Sequence, residues 1–401
     1  MYNKSKLENY FNSFLSCKEN NAQSKFDWDD FYKISFKSSR NQKTKEILKD
    51  YPFFSSKCNF ISDNVVIKES LNDDVQKFIE NAFIVADRRA LEFVNKHYNL
   101  SINAKHIFYI DEIKSGDILD LILKEVNSFD YSHLLAFGGG RTLDFAKFIS
   151  FKNDIKLISF PSSLATHVYA SPKIHALSPI KDLGFKKTID GESSHLSLLD
   201  INLLDNLYQK NNRLILSGFG DLMAFINARY DWIQSSKNGN ERFSNIVNKS
   251  IDFIIRKLVT IDIKKPLRFW IEDYVFIQCL LCNITHWVGS APASGAEHLF
   301  AKCIEDEILD PPFHGETVAL GVLIFSFIRN KDIDKVIFLL RKFKITNSIS
   351  KLNLNKNAII NALNRSLIEG NKKKRYTILN DLNVSFDEVI SSMIDKKLLE
   401  S

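Results

Sequence analysis

The chain has 401 residues, 45% of them apolar and 25% charged, which suffices for a large core and two domains and excludes a disordered polymer. Lys+Arg is 54 and Asp+Glu is 48, an excess of +6 that makes no case for nucleic acid or an anionic membrane and at most suits an anionic small-molecule substrate. The five cysteines are an odd, sparse set, the N-terminus has no apolar leader, and no apolar run reaches about 18 residues, so a reduced, cytoplasmic, soluble enzyme is expected.

Residues 1–60 are polar and aromatic without a clear period, and read as an N-terminal extension with short helices. From residue 61 strands and helices alternate. Strands are expected at Asn64–Ile67, Ala82–Ala86, His106–Ile110, Leu134–Phe137 and Lys156–Phe160. Helices fall between them at Asp73–Asn81, Arg88–His97, Asp117–Asn127 and Thr142–Ile149. That alternation predicts a parallel sheet in an α/β domain over 61–205. Beyond 206 the strand signal fades, and helical periodicity runs through Leu214–Ile233, Phe243–Val259, Phe269–Val288, Glu316–Ile328 and the Lys-rich end. Cys279 and Cys282 form a C-x-x-C inside an apolar run. With no second pair to complete a zinc site, they read as packing residues.

Gly138-Gly139-Gly140 follows a buried strand and precedes a helix, where glycines let backbone approach a phosphate and the helix N-terminus supplies N–H donors. It is neither the G-x-G-x-x-G fingerprint nor a Walker A loop. Asp87 ends an earlier strand, where a carboxylate can take ribose hydroxyls. Asp144 joins the candidate cofactor residues, although with Lys147 at i+3 it also has the spacing of a solvated surface pair. In the helical half, Asp221 opens the stretch after Gly218-Phe219-Gly220, His298 ends Ser294-Gly295-Ala296-Glu297-His298, and His314 follows Pro311-Pro312-Phe313. One carboxylate and two imidazoles suit a divalent metal that keeps an open position for substrate.

Together these segments resemble the iron-containing alcohol dehydrogenase and 3-dehydroquinate synthase superfamily, on the side of the sn-glycerol-1-phosphate dehydrogenases. The matching pieces run in order from Gly138 to Lys147, then Ile158 to Ser163 and Ala170-Ser171-Pro172. They continue through Gly218 to Leu222, Asp231-Trp232, Pro292 to Phe300, His314-Gly315-Glu316 and Arg375 to Leu379. The resemblance implies a nucleotide-binding α/β domain followed by an all-helical domain, dehydroquinate synthase-like, with the active site in the cleft between them. It implies NAD or NADP on Gly139, Gly140, Arg141, Ser162, Ser163 and Ser171, a divalent metal, with zinc expected, on Asp221, His298 and His314, and a homo-oligomer.

Two departures bear on substrate. Counted without a gap, His167 stands where the glycerol-1-phosphate dehydrogenases carry a substrate-contacting Asp; with a one-residue slip it pairs with that family's His, and the Asp is lost either way, while a substrate-contacting His four residues after the first metal His is replaced by Lys302. Both changes favour positive charge, so His167 and Lys302 are expected to hold an anionic group of a small phosphorylated substrate. Arg88 and Arg89 follow Asp87 and leave NADP open beside NAD. The expected reaction is reduction of a phosphorylated ketone or aldehyde to a polyol phosphate. The alternative is a cyclase or lyase that uses NAD transiently, for which Lys173 would be a phosphate contact, although the Gly-Gly pair of that branch is missing.

Overall fold

The computed structural model describes residues 59–60, 64–100, 102, 107–112, 116–175, 189–372 and 376–400. The expected N-terminal helices, Cys17, Cys58, His106 and Arg375 lie outside the described residues. The described chain forms two compact units. The first runs to Asn212 and takes in Leu267–Cys279; the second holds Arg213–Pro266 and everything from Leu280 on.

In the first unit, β1 (Asn59–Phe60) and β2 (Val65–Lys68) precede α1 (Asn72–Ile79), β3 (Ala82–Ala86) and α2 (Arg88–Tyr98). Then come β4 (Ile107–Tyr109), α3 (Gly116–Ser128), β5 (His133–Gly138), α4 (Gly140–Asn153) and β6 (Leu157–Pro161). A small antiparallel pair, β7 (Lys173–Ile174) and β8 (Ile189–Asp190), leads to β9 (Leu196–Asp200) and α5 (Ile201–Lys210). The sheet has seven strands in the order β1-β2-β9-β6-β5-β3-β4, all parallel except the edge strand β1. Strands β3, β5, β6 and β9 are buried along their whole length. This fits a parallel sheet covered on both faces and explains why they read as continuous apolar runs. One core cluster joins Ile84, Leu135, Phe137, Ile158 and Phe160 of the strands to Val75, Phe78, Leu91 and Val94 of the helices.

The strand order fixes where a ligand can sit. From β3 the chain steps outward to β4, then returns across β3 to β5 on its other side. Such a reversal opens a crevice at the carboxyl ends of the two diverging strands, here β3 and β5.

The second unit is helical throughout its named elements. It comprises α6 (Arg213–Met223), α7 (Phe225–Lys237), α8 (Asn245–Thr260), the later part of α9 (Ile271–Val288), α10 (Ala296–Glu307), α11 (His314–Arg329), α12 (Ile333–Lys342), α13 (Lys356–Lys372) and α14 (Phe386–Asp395). The helix expected over Leu214–Ile233 is two helices, because the backbone bonds tighten to i→i−3 at Asp221–Ala224 and Ala224–Asn227. Helix α11 is buried from Gly315 to Ser326, as expected of a helix apolar on all sides at the centre of a bundle. Among the described residues no helix is long and apolar enough to cross a membrane.

Candidate functional site

Sheet register gathers the expected cofactor residues. Ala86 lies opposite Phe137, and Gly138 opposite Pro161. The next residues follow suit: Asp87 N donates to Phe137 O (3.0 Å) and Ser162 N donates to Gly138 O (3.0 Å). Asp87, Gly138 and Ser162 therefore stand side by side at the carboxyl edge of three neighbouring strands, at the reversal.

The glycine loop is shaped as a cradle. Helix α4 starts at Gly140 with Gly139 as N-cap, no side-chain cap and no acidic residue in its first turn, so its first N–H groups are left for an anion. A Cβ on Gly140 would come within 2.9 Å of Thr166 Oγ1 and 3.4 Å of Val168. Thr166, which sequence reasoning missed, thus borders the cradle. Ser163 packs beside Gly139, and its Oγ accepts from Ala165 N (3.2 Å). Arg141 is exposed on the first turn of α4 and His167 is half-buried. Asp87 caps α2 through Oδ1 to Ala90 N (2.9 Å). Arg88 stacks on Tyr109 at 3.9 Å and pairs with Glu112 at 2.9 Å and Asp111 at 3.6 Å.

Asp144, expected to touch the cofactor, is instead enclosed. Its side chain is 3% exposed, with Oδ1 2.8 Å from Lys147 Nζ and Oδ2 accepting from His175 N at 2.8 Å. Lys147, for which a surface position was open, is fully buried and donates to the carbonyls of Val168, Ser171 and Lys173. The pair is a clamp on the segment that follows the cradle. It shapes that segment, because burying an ammonium group requires a carboxylate and several acceptors around it. Ser171 is buried on the clamped segment, its Oγ accepting from Lys173 N at 3.1 Å. A second clamp comes from the start of α9: Tyr274 OH and Gln278 Nε2 donate to Leu164 O, and Gln278 Oε1 accepts from Tyr169 OH (2.6 Å).

The metal candidates converge within the helical unit. One ligand atom each from Asp221 on α6, His298 on α10 and His314 at the start of α11 lies within 4.8 Å of the others. Asp221 Oδ1 is 3.1 Å from His298 Nε2 and 3.7 Å from His314 Nε2. The far ring nitrogens are held by carboxylates: His298 Nδ1 by Glu297 Oε1 (3.0 Å) and His314 Nδ1 by Glu305 Oε1 (2.7 Å). A carboxylate can only accept, so each Nδ1 carries the proton and each Nε2 is turned toward Asp221, the arrangement that metal-binding imidazoles use. Burial alone would lower the basicity of His298, but Asp221 and Glu297 outweigh it and raise its pKa to about 9. His314 is raised in the same way, with burial opposed by Glu305 and Asp221. The three carboxylates thus attract positive charge to this spot, and the nitrogen–oxygen donor set fits a divalent cation such as zinc or iron. His314 is 36% exposed, which leaves the site an open side.

Two glycines allow the convergence. A Cβ on Gly315 would fall 1.8 Å from Ser217 O, and one on Gly220 would fall 1.9 Å from Gly315 O. Helices α6 and α11 touch backbone to backbone there, which places Asp221 beside His314. Gly315→Ala must part the two helices, so it should cost at least about 3 kcal/mol and abolish zinc retention. A melting curve with bound-zinc analysis after dialysis checks both. Glu316 steadies the same turn, accepting a bidentate pair from Arg213 (2.9 and 2.8 Å) and a bond from Phe313 N (3.1 Å). Lys302 is exposed, four residues after His298 and three before Glu305, and so lies on the helix face that carries both.

Comparison with known proteins agrees with this geometry. The iron-containing alcohol dehydrogenase family matches residues 66–193. Glycerol-1-phosphate dehydrogenase (NAD(P)+) of Hyperthermus butylicus is 25% identical, over 86% of this chain and 90% of its own. The enzyme of the same name from Thermococcus sibiricus is 27% identical, over 79% and 91%. The chain is thus similar to the iron-containing alcohol dehydrogenases over residues 66–193 and to glycerol-1-phosphate dehydrogenases over most of its length. Solved structures share the fold. A probable glycerol dehydrogenase from Sinorhizobium meliloti aligns at TM-score 0.58 with 14% identity, covering 83% of this chain and 96% of that one. Glycerol dehydrogenase from Schizosaccharomyces pombe aligns at 0.57 with 14% identity, covering 82% and 88%.

Proposed function

We propose that the protein is a metal-dependent, NAD(P)-linked oxidoreductase that reduces a small phosphorylated ketone or aldehyde to a polyol phosphate. One observation carries the reading: Asp221, His298 and His314 present three donor atoms to one point while Glu297 and Glu305 fix both imidazoles. The Gly138–Gly140 cradle at the N-terminus of α4 supplies the nucleotide side, and relatives named glycerol-1-phosphate dehydrogenase (NAD(P)+) supply the substrate class.

A divalent cation on the triad, when bound, supplies Lewis-acid stabilisation of the charge that develops on the carbonyl oxygen. The chain's residues do the rest. Asp221 and the two imidazoles orient that cation, and the N–H groups of α4 hold the dinucleotide phosphates with help from Ser162 and Thr166. The overall change consumes a carbonyl, one hydride from NAD(P)H and one proton, and yields the alcohol and NAD(P)+. His167 is the titratable group assigned to the proton. Lys302 is assigned to the substrate phosphate, since it projects from the metal-facing side of α10 with its charge exposed.

The deciding assay offers dihydroxyacetone phosphate, then larger phosphorylated ketones and aldehydes, with NADH or NADPH and added zinc. About one reduced cofactor consumed per product supports a dehydrogenase. Product formed without net cofactor change would replace it with the transient-NAD cyclase or lyase. Lys302→Ala should raise KM for the phosphorylated substrate about tenfold, the worth of one charge-assisted contact, and leave KM for NADH unchanged. Unchanged substrate KM would remove Lys302 from the pocket.

A further inference from the structure

Helix α10, which carries His298, begins without a cap of its own. Its N-cap is Gly295, which has no side chain to accept from the first N–H groups. The acceptor comes from another helix. Asp231 on α7, 2% exposed, takes Ala296 N on Oδ2 at 3.2 Å. Glu297, the next residue, folds back so that Oε1 receives both Gly295 N (2.6 Å) and His298 Nδ1 (3.0 Å). The two carboxylates flank Gly295: a Cβ there would sit 2.6 Å from Asp231 Oδ2 and 3.0 Å from Glu297 Oε2. The other oxygen of Asp231 accepts from Ile378 N at 2.9 Å and from Arg329, in the last turn of α11. Two sequence motifs with no ligand to offer, Asp231-Trp232 and the segment around Thr377-Ile378-Leu379, therefore meet on one buried carboxylate, which holds Ala296 N two residues before the metal candidate His298.

We infer that Asp231 is a positioning residue for the metal centre: it caps α10 in place of Gly295 and ties the C-terminal turn at Ile378 to the helix start that aims His298. The inference rests on the metal reading above. It makes the turn at residues 377–379 part of the metal scaffold, although it follows His314 by more than sixty residues. The physical reason is geometric. An uncapped helix start frays, and fraying at Gly295–Glu297 releases the Glu297 bond that holds the His298 ring.

The test measures zinc affinity of the full chain, freed of metal, by competition with a chromophoric chelator. Folding is followed by circular dichroism and a melt. Asp231→Asn keeps the shape but turns an amide NH2 toward either Ala296 N or the Ile378 N and Arg329 pair, so at least one donor loses its acceptor. Ile378→Pro deletes a single N–H at a place made for proline: Thr377 before it is extended (φ −137, ψ 166) and Ile378 opens a 3-10 turn. It carries the test where Asp231→Asn does not fold. Each should weaken zinc binding about 10–100-fold, while Ile378→Leu, which keeps the N–H, should bind as wild type. The control is Asn227→Ala, on the same helix, which loses buried bonds to Val322 O and Ser326 Oγ without touching α10. It should lower the melting temperature and leave zinc affinity unchanged. Wild-type zinc affinity in folded Asp231→Asn or Ile378→Pro overturns the inference and spares the metal reading, as does an equal loss in Asn227→Ala. A wild-type chain that binds no zinc overturns both.

Discussion

His314→Ala is expected to abolish zinc retention and lower kcat/KM by about 10³-fold or more, with NADH affinity unchanged. The size follows from what a Lewis acid contributes: several kcal/mol of charge stabilisation, at 1.36 kcal/mol for each factor of ten. His314 is the better ligand to remove. It is 36% exposed and lies 3.7 Å from Asp221, and its loss leaves Glu305 with Thr317 and solvent. Removing His298 would strand the buried carboxylates of Asp221 and Glu297, at 6% and 0% exposure, and confuse lost metal with lost fold. Metal analysis after dialysis, a fluorescence titration with NADH and steady-state kinetics separate the three quantities. Turnover within tenfold of wild type would take the metal out of the reaction.

The sheet was legible because its strands are buried on both faces. The expected strand Ala82–Ala86 coincides with β3, and the other expected strands differ from the observed ones by a residue or so, since continuous apolar runs bounded by Asp, Gly or Pro leave little choice. Strand β9 has no counterpart among the expected strands: Leu196–Asp200 has its apolar run broken by Ser197, and only the structure shows that Ser197 is buried, held by Ser159 and by the Tyr169 carbonyl. The division of the chain was less legible still. Phe269–Val288 reads as one more helical segment, yet the stretch Leu267–Cys279 belongs with the sheet through Tyr274 and Gln278, whose partners lie about 110 residues upstream. Periodicity reports that a helix is buried and carries no information about which core buries it.

At the site, the ligands were legible and their supports were not. Asp221 and His314 sit beside Gly220 and Gly315, which mark a close helix approach, and His298 follows Gly295 by three residues, so motif and geometry coincide. Glu305 has no motif. It precedes His314 by nine residues and meets it only because the loop at Pro311-Pro312 reverses the chain. The i, i+3 pair Asp144–Lys147 is ambiguous in sequence for a different reason. The same spacing serves a solvated pair and a buried clamp, and the acceptors that decide the matter, at residues 168–173, lie on another segment.

Gly140→Val carries the complementary prediction, on the nucleotide side. The nearest atoms to a Cβ at residue 140 are Thr166 Oγ1 at 2.9 Å and Val168 Cγ2 at 3.4 Å, so even alanine crowds the loop and the two branches of valine have nowhere to go but the phosphate cradle. NADH should bind at least about 100-fold more weakly, some 2.8 kcal/mol at 1.4 kcal/mol per decade. Zinc affinity should not change, because every atom of the triad belongs to the helical unit. Gly139 gives the contrast. A Cβ there meets only Ser163 at 3.6 Å, an ordinary contact, so Gly139→Ala folds without strain and any loss of NADH affinity it shows reports the nucleotide itself. A Gly140→Val protein with wild-type NADH affinity would mean that the phosphates lie elsewhere along the carboxyl edge of the sheet. Such a result would also undo the assignments of Ser162 and Thr166, which depend on the same cradle.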